Sequence, residues 1–347
     1  MIIVRASVLL GALFLPFAVF GHHSFAAVFA SDEITEVEGE IMEVRWRNPH
    51  VSFTLKTVDD GGAEMLWAIE THSLSIMRGM DLTTPFIHVG DKVKVAGNPT
   101  RRSDVNGMFV QNILLPSGEE WVFRAGARPA DLRWSDRLMG TSDKWFATEG
   151  EVSEAELGIF RVWSTVFSPA GGRGAFGRSS FPLTESARAA VAEFDPVEDA
   201  VLANCAPKGM PFIMTQPYPM EFVDQNDTIL LRIEEYDTVR TIHMGNAASA
   251  KSPPPSLLGY SVGNWDNDTL VVRTTGVSYP HYNGAGVPLS GAAEIVERMT
   301  PAADGSRLDY SYTVTDPVNF TEPVVMEKSW VSLSGIAVEP YDCSEGD

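Results

Sequence analysis

Between Thr35 and Phe123 apolar and polar residues alternate in short runs, the period-two signature of half-buried strands. Val37, Gly39 and Ile41 alternate with Glu38, Glu40 and Met42; the phase then slips before Val44 and Trp46, which predicts a β-bulge. Asn48-Pro49 interrupts, after which Val51, Phe53 and Leu55 alternate with Ser52, Thr54 and Lys56. Asp59-Asp60-Gly61-Gly62 reads as a turn, and Met65, Trp67 and Ile69 share one face of the strand that follows. Leu74 to Met80 predicts a short helix. Val93 and Val95 mark a fourth strand, introduced by Val89-Gly90-Asp91, and Asn106-Gly107 turns the chain into a fifth over Phe109 to Leu115. Five strands with a helix between the third and fourth predict a small OB-like barrel.

Residues 126–204 are less regular. A strand is expected within Gly158 to Phe167, a Gly-rich loop over Ser168 to Ser180, and a short helix capped by Thr184 and ending near Phe194. From Cys205 the strand rhythm returns, over Thr228–Glu234, Val239–Met244, Tyr260–Trp265, Thr269–Thr275, Ala293–Met299, Leu308–Thr315 and Val324–Val331. Asn, Asp, Gly and Pro fill the connections. Consecutive strands without intervening helices predict an antiparallel up-and-down sheet or lipocalin-like barrel, so the protein is expected to be mainly β. The expected division is a signal peptide over 1–21, an OB-like domain over 22–125, a linker over 126–204 and an antiparallel β domain over 205–347.

The first segment changes the picture of location. Arg5, an apolar run from Val8 to Phe20 and small residues before Gly21 have the layout of a secretory leader. Cleavage after Gly21 would make His22-His23-Ser24-Phe25 the mature start, in the periplasm or outside the cell. No second apolar run approaches the ~20 residues that a membrane span requires. The formal net charge of -20 repels phosphate backbones, which argues against nucleic acid as a partner.

Candidate chemistry begins with the only two cysteines, Cys205 and Cys343. In an exported protein a lone pair is most simply a disulfide, here closing the C-terminal domain; two free thiols serving as ligands or nucleophiles are the alternative. Seven histidines occur. A free amine on His22 could chelate an ion together with its own imidazole, and His50 is the best-placed further ligand, with His23 adjacent to the terminus. Such nitrogen donors suit Cu(II), against the simpler expectation of a frayed terminus and a solvent-facing His50. No H-E-x-x-H is present, so the common zinc-protease site is unsupported.

Two enzyme patterns fail on context. Gly172-Arg173-Gly174-Ala175-Phe176-Gly177 matches a dinucleotide fingerprint, but Arg178-Ser179-Ser180-Phe181-Pro182 cannot open the helix it needs. Gly259-Tyr260-Ser261-Val262-Gly263 matches a nucleophile elbow, yet a turn and another strand follow in place of a helix. Charges within the C-terminal strands are more suggestive. Glu294, Val296 and Arg298 share one face and Ile295, Glu297 and Met299 the other, while Arg240 and Arg273 also fall inside strands. Either one charged set points into a barrel, where Arg240, His243, Glu297 and Arg298 would meet a ligand, or these charges form outward cross-strand pairs.

His22-His23-Ser24-Phe25, Trp46-Arg47-Asn48-Pro49-His50 and Val89-Gly90-Asp91 resemble a family of secreted bacterial proteins of unknown function. The second half resembles an uncharacterised exported type through Cys205-Ala206-Pro207-Lys208-Gly209-Met210-Pro211, Pro217-Tyr218-Pro219 and Ser261-Val262-Gly263-Asn264-Trp265. The resemblance implies bacterial origin, export and a β-rich fold, and brings no activity. The expected function is therefore an exported binding or accessory protein for a small molecule or metal ion. A copper protein built on His22 is the alternative, and a hydrolase sited in the C-terminal domain a second one.

Overall fold

The computed structural model describes residues 28–343 apart from residues 60, 125–126, 143–146, 148, 153–154, 166–179, 196–204 and 246–252. The Gly-rich fingerprint at 172–177, His22 and His23 lie outside the described residues.

The N-terminal unit is built from β1 (Thr35–Arg45), β2 (Ser52–Val58), β3 (Glu64–Glu70), α1 (Leu74–Gly79), β4 (Lys92–Pro99), β5 (Gly107–Leu114) and β6 (Glu120–Val122). β1 pairs with both β2 and β4, β4 with β5, and a parallel pairing of β3 with β5 closes the barrel. This is the OB-like arrangement that the strand spacing predicts, with α1 between β3 and β4. Ile41, Phe53, Leu55, Ile69, Val93, Val95, Val110 and Trp121 fill its interior. The expected bulge is present as a register shift between Ile41 and Glu43. At Gly39 a Cβ would lie 2.1 Å from the Lys56 carbonyl oxygen, so only glycine lets β1 and β2 approach this closely there.

β6 was not legible as a separate strand. It carries the buried Glu120, whose carboxylate accepts from Asn112 Nδ2 at 2.6 Å and from the backbone N–H groups of Arg133, Trp134 and Ser135 at 2.8, 3.0 and 3.1 Å. A buried carboxylate without donors would be costly; here the donors come from the chain just beyond the barrel and fold it back onto β6.

The C-terminal unit is a closed barrel of β7 (Val162–Thr165), β8 (Met220–Asp224), β9 (Thr228–Ile233), β10 (Thr238–Met244), β11 (Tyr260–Asp266), β12 (Thr269–Thr275), β13 (Glu294–Pro301), β14 (Arg307–Thr315) and β15 (Val324–Val331). Neighbours are antiparallel except for β10 and β11, which run parallel through Ile242↔Ser261, His243↔Val262 and Met244↔Gly263. The barrel therefore departs from a simple up-and-down meander at one joint. β7 comes from the segment expected to be linker, yet it bridges β15 and β8. Thr184 caps α2 (Glu185–Glu193) as expected, its Oγ1 accepting from Ala187 N at 3.3 Å.

The Cys205–Cys343 disulfide ties the segment between β7 and β8 to the stretch after β15. Its second cysteine also brings the chain end to the N-terminal barrel. Asn48 Nδ2 donates to the Tyr341 carbonyl, Asn48 Oδ1 accepts from Leu74 N at 3.0 Å, and Asn48 bridges to Cys343. Beside this contact Glu234 accepts from Ser75 Oγ and, at 2.7 Å, from Arg78. The loop leading to His50 and the start of α1 are thus fixed from both barrels.

Candidate metal centre

The β2–β3 hairpin decides where the histidines lie. Its ladder pairs Ser52 with Glu70, Phe53 with Ile69 and so on to Val58 with Glu64. Pairing continues past the ladder: Thr71 N donates to the Val51 carbonyl at 2.9 Å and Val51 N to the His72 carbonyl at 3.0 Å. Val51 N bonds to the His72 carbonyl rather than to that of Thr71, so Thr71 and His72 both face Val51 and the register slips by one, leaving His50 and His72 as neighbours at this end of the hairpin.

Both rings are held by backbone. His50 Nδ1 lies 2.9 Å from the Thr71 carbonyl oxygen, which makes Nδ1 the donor and places the lone pair on Nε2. The same Nδ1 is 3.3 Å from Glu70 Oε1. The His72 ring hydrogen-bonds to the backbone of Phe123 and packs against Phe109 and Phe123, with centroids 5.3 and 6.1 Å away. Burial pushes His72 down to about 4; the neighbouring His50 lowers it further, while the Phe123 bond and Glu70 pull the other way. His72 is therefore a neutral imidazole at neutral pH. A ring N–H tied to a backbone carbonyl is the usual outer support of a metal-bound histidine, because it fixes the tautomer and aims the other nitrogen.

Chemically the arrangement offers two imidazoles and a carboxylate at one end of the barrel. Among the described residues no three His, Cys, Asp or Glu groups converge well enough to hold an ion by themselves. A complete site would need a donor from outside them. The chain that enters here is well anchored. Val28 O accepts from Arg101 N at 2.8 Å, Ala30 O accepts from Asn98 Nδ2 at 3.0 Å, and the Phe29 ring lies 5.7 Å from Phe109. Phe109 in turn touches His72.

His72 is not among the metal candidates read from the sequence; the turn between β2 and β3 sets it at the same end of the hairpin as His50, while its burial against Phe109 and Phe123 needed the folded barrel.

The ligand set expected in the C-terminal barrel divides. Arg240 and Glu297 face inward and meet, Arg240 Nη1 lying 2.9 Å from Glu297 Oε1 with a second contact through Nη2. Arg240 also donates to Ser261 Oγ at 3.1 Å and Thr274 Oγ1 at 2.8 Å, and Tyr310 OH donates to Glu297 at 2.8 Å. Arg298 lies instead on the outer face, paired with Asp266 at 2.9 Å, as Arg273 is with Glu294. His243 shares the outward parity of Val239 and Thr241, its ring 4.8 Å from Tyr260. Inward network and outward cross-strand pairs therefore coexist on the same strands. Ser261 sits within β11, buried, and hydrogen-bonded to Thr274 Oγ1 at 2.9 Å, with a hairpin rather than a helix after it.

With this geometry in place, the family comparison falls on the barrel that carries the histidines. Residues 12–110 match a family of unknown function, DUF6152. The DUF6152 match takes in His50, Glu70 and His72 and ends within β5, leaving the C-terminal barrel outside it. No curated protein matches the chain. Two crystal structures of the mitochondrial single-stranded DNA binding protein Rim1 from S. cerevisiae align at 15% and 14% identity. Each alignment covers 24% of this chain and 94% of the other, at a TM-score of 0.19. No described helix is long and apolar enough to cross a membrane.

Proposed function

We propose that this chain is an exported, periplasmic or secreted metal-binding protein. It holds a copper ion on the N-terminal barrel and serves as a binding or accessory protein. The observation that carries the proposal is the cross-hairpin pair His50 and His72, each ring supported by backbone, with the Glu70 carboxylate beside them. Removal of the leader after Gly21 would give His22 a free α-amine. Val28, the first anchored residue, is six positions after His22, and an extended chain over six steps reaches about 20 Å. The amine and ring of His22, with His50 and His72, would form a nitrogen-rich set suited to tetragonal Cu(II). The Cys205–Cys343 disulfide agrees with an oxidising compartment.

The test is Cu(II) titration into protein that begins at His22, into a version one residue longer, and into the His50→Ala/His72→Ala variant. Even outer-shell changes lower metal affinity about 10–100-fold, so losing two ligands, or the free amine, costs at least that much. Equal affinity in all three proteins refutes the site.

A further inference from the structure

Regular pairing of the β2–β3 hairpin ends beside the metal centre. Past Ser52↔Glu70 the register slips at Val51, and Asn48 takes over the cross-link. Its buried carboxamide, two residues before His50, accepts from Leu74 N at 3.0 Å, two residues after His72. One side chain thus ties the chain entering His50 to the chain leaving His72.

The other end of that carboxamide belongs to the tail of the second barrel. Asn48 Nδ2 donates to the Tyr341 carbonyl, and Asn48 bridges to Cys343. Residues 339–343 form a strap along this contact. Glu339 N donates to Glu234 Oε2 at 3.2 Å and Tyr341 N to Asp237 Oδ1 at 3.0 Å. The buried Tyr341 ring lies 5.5 Å from that of Tyr218 and 4.9 Å from that of Tyr236. Single hydrogen bonds hold a segment only modestly. The far end of the strap is fixed covalently, by the bond from Cys343 to Cys205.

We propose that the Cys205–Cys343 disulfide is a redox switch for the metal centre, an inference that rests on the metal-binding reading above. Opening the bond frees the strap, and Asn48 loses the partner that aims the two ligand-bearing segments. The reductant is a dithiol. Its first thiolate attacks one sulfur to give a mixed disulfide, and its second closes the reductant's own disulfide. The dithiol supplies both electrons and both protons, and Cys205 and Cys343 each end as a thiol. Both cysteines are half-exposed, and exchange depends on such access.

Two measurements on the full chain beginning at His22 test this. Cu(II) should bind the Cys205→Ser/Cys343→Ser variant at least about tenfold more weakly than the disulfide-bonded chain, the scale of losing an outer support. In an Asn48→Ala background the same serine pair should change affinity by less than about twofold. Equal affinity with and without the bond, or a tenfold loss that persists in Asn48→Ala, overturns the switch and leaves the metal centre standing. A native chain that binds no copper refutes both readings.

The second measurement needs no metal and stands even should the serine variant fail to fold. In metal-free chain treated with dithiothreitol, the amides of Leu74 and Tyr341 should exchange with solvent at least about tenfold faster, while those of the β1–β4 ladder keep their rates. Unchanged exchange at Leu74, or a bond that dithiothreitol leaves closed in the folded chain, overturns the proposal.

Discussion

Replacing Glu297 by leucine should strand a guanidinium inside the C-terminal barrel. Glu297 sits on the inward face of β13 with no exposure, and it is the only carboxylate paired with Arg240 among the described residues. In Glu297→Leu, Arg240 would keep Ser261 and Thr274 but lose its counter-charge, and the Tyr310 hydroxyl would lose its acceptor. Leaving one member of a buried pair uncompensated costs roughly 3–5 kcal/mol, and the orphaned hydroxyl adds about 1 kcal/mol or more. For a unit of this size about 1 kcal/mol corresponds to roughly 2–4 °C in Tm. The single variant should therefore unfold its C-terminal barrel about 8–24 °C lower. The double variant Arg240→Met/Glu297→Leu removes both charges and keeps the volume apolar, and should recover most of that loss. Thermal and urea unfolding followed by near-UV circular dichroism measure both. If Glu297→Leu costs less than about 0.5 kcal/mol, or the double variant is no better than the single, the pair is not the electrostatic unit described. The expectation that these two residues serve a ligand would then regain weight.

Two further outcomes follow from the geometry. His72 has a folded value of about 4 against an ordinary ~6.5, so below that ordinary value the unfolded chain takes up a proton that the folded one refuses. Stability of the metal-free chain should fall by about 3 kcal/mol as pH drops from ~6.5 to ~4, and His72→Phe should remove that part of the slope; identical slopes in urea titrations of the two proteins would refute it. Replacing Cys205 and Cys343 by serine frees a loop with a sequence separation of 138, which should cost the C-terminal barrel roughly 4–5 kcal/mol by chain entropy. An unchanged urea midpoint would contradict that account.

The sequence by itself determined the local elements. Alternation and turn residues located β12 and β15 to the residue, the bulge in β1, the Thr184 cap and the OB-like order of the first barrel, because these depend on neighbours a few positions apart. Parity also separated Glu297 from Arg298 correctly. What parity cannot tell is which of two faces becomes the inside. That was decided by closure of the barrel, which turned Glu297 toward Arg240, a residue 57 positions away, and left Arg298 with Asp266 on the outside. β7 falls within the strand expected over Gly158 to Phe167, but that this stretch of expected linker joins the second barrel by bridging β15 and β8 was decided only by closure. His72 is intermediate: the turn between β2 and β3 brings it to the same end of the hairpin as His50, but its burial, and hence its neutral ring, comes from Phe109 on the adjoining β5 and Phe123 just past β6, brought in by barrel closure. Short-range periodicity reports which residues share a face; only long-range pairing, with the desolvation it imposes, decides what that face meets.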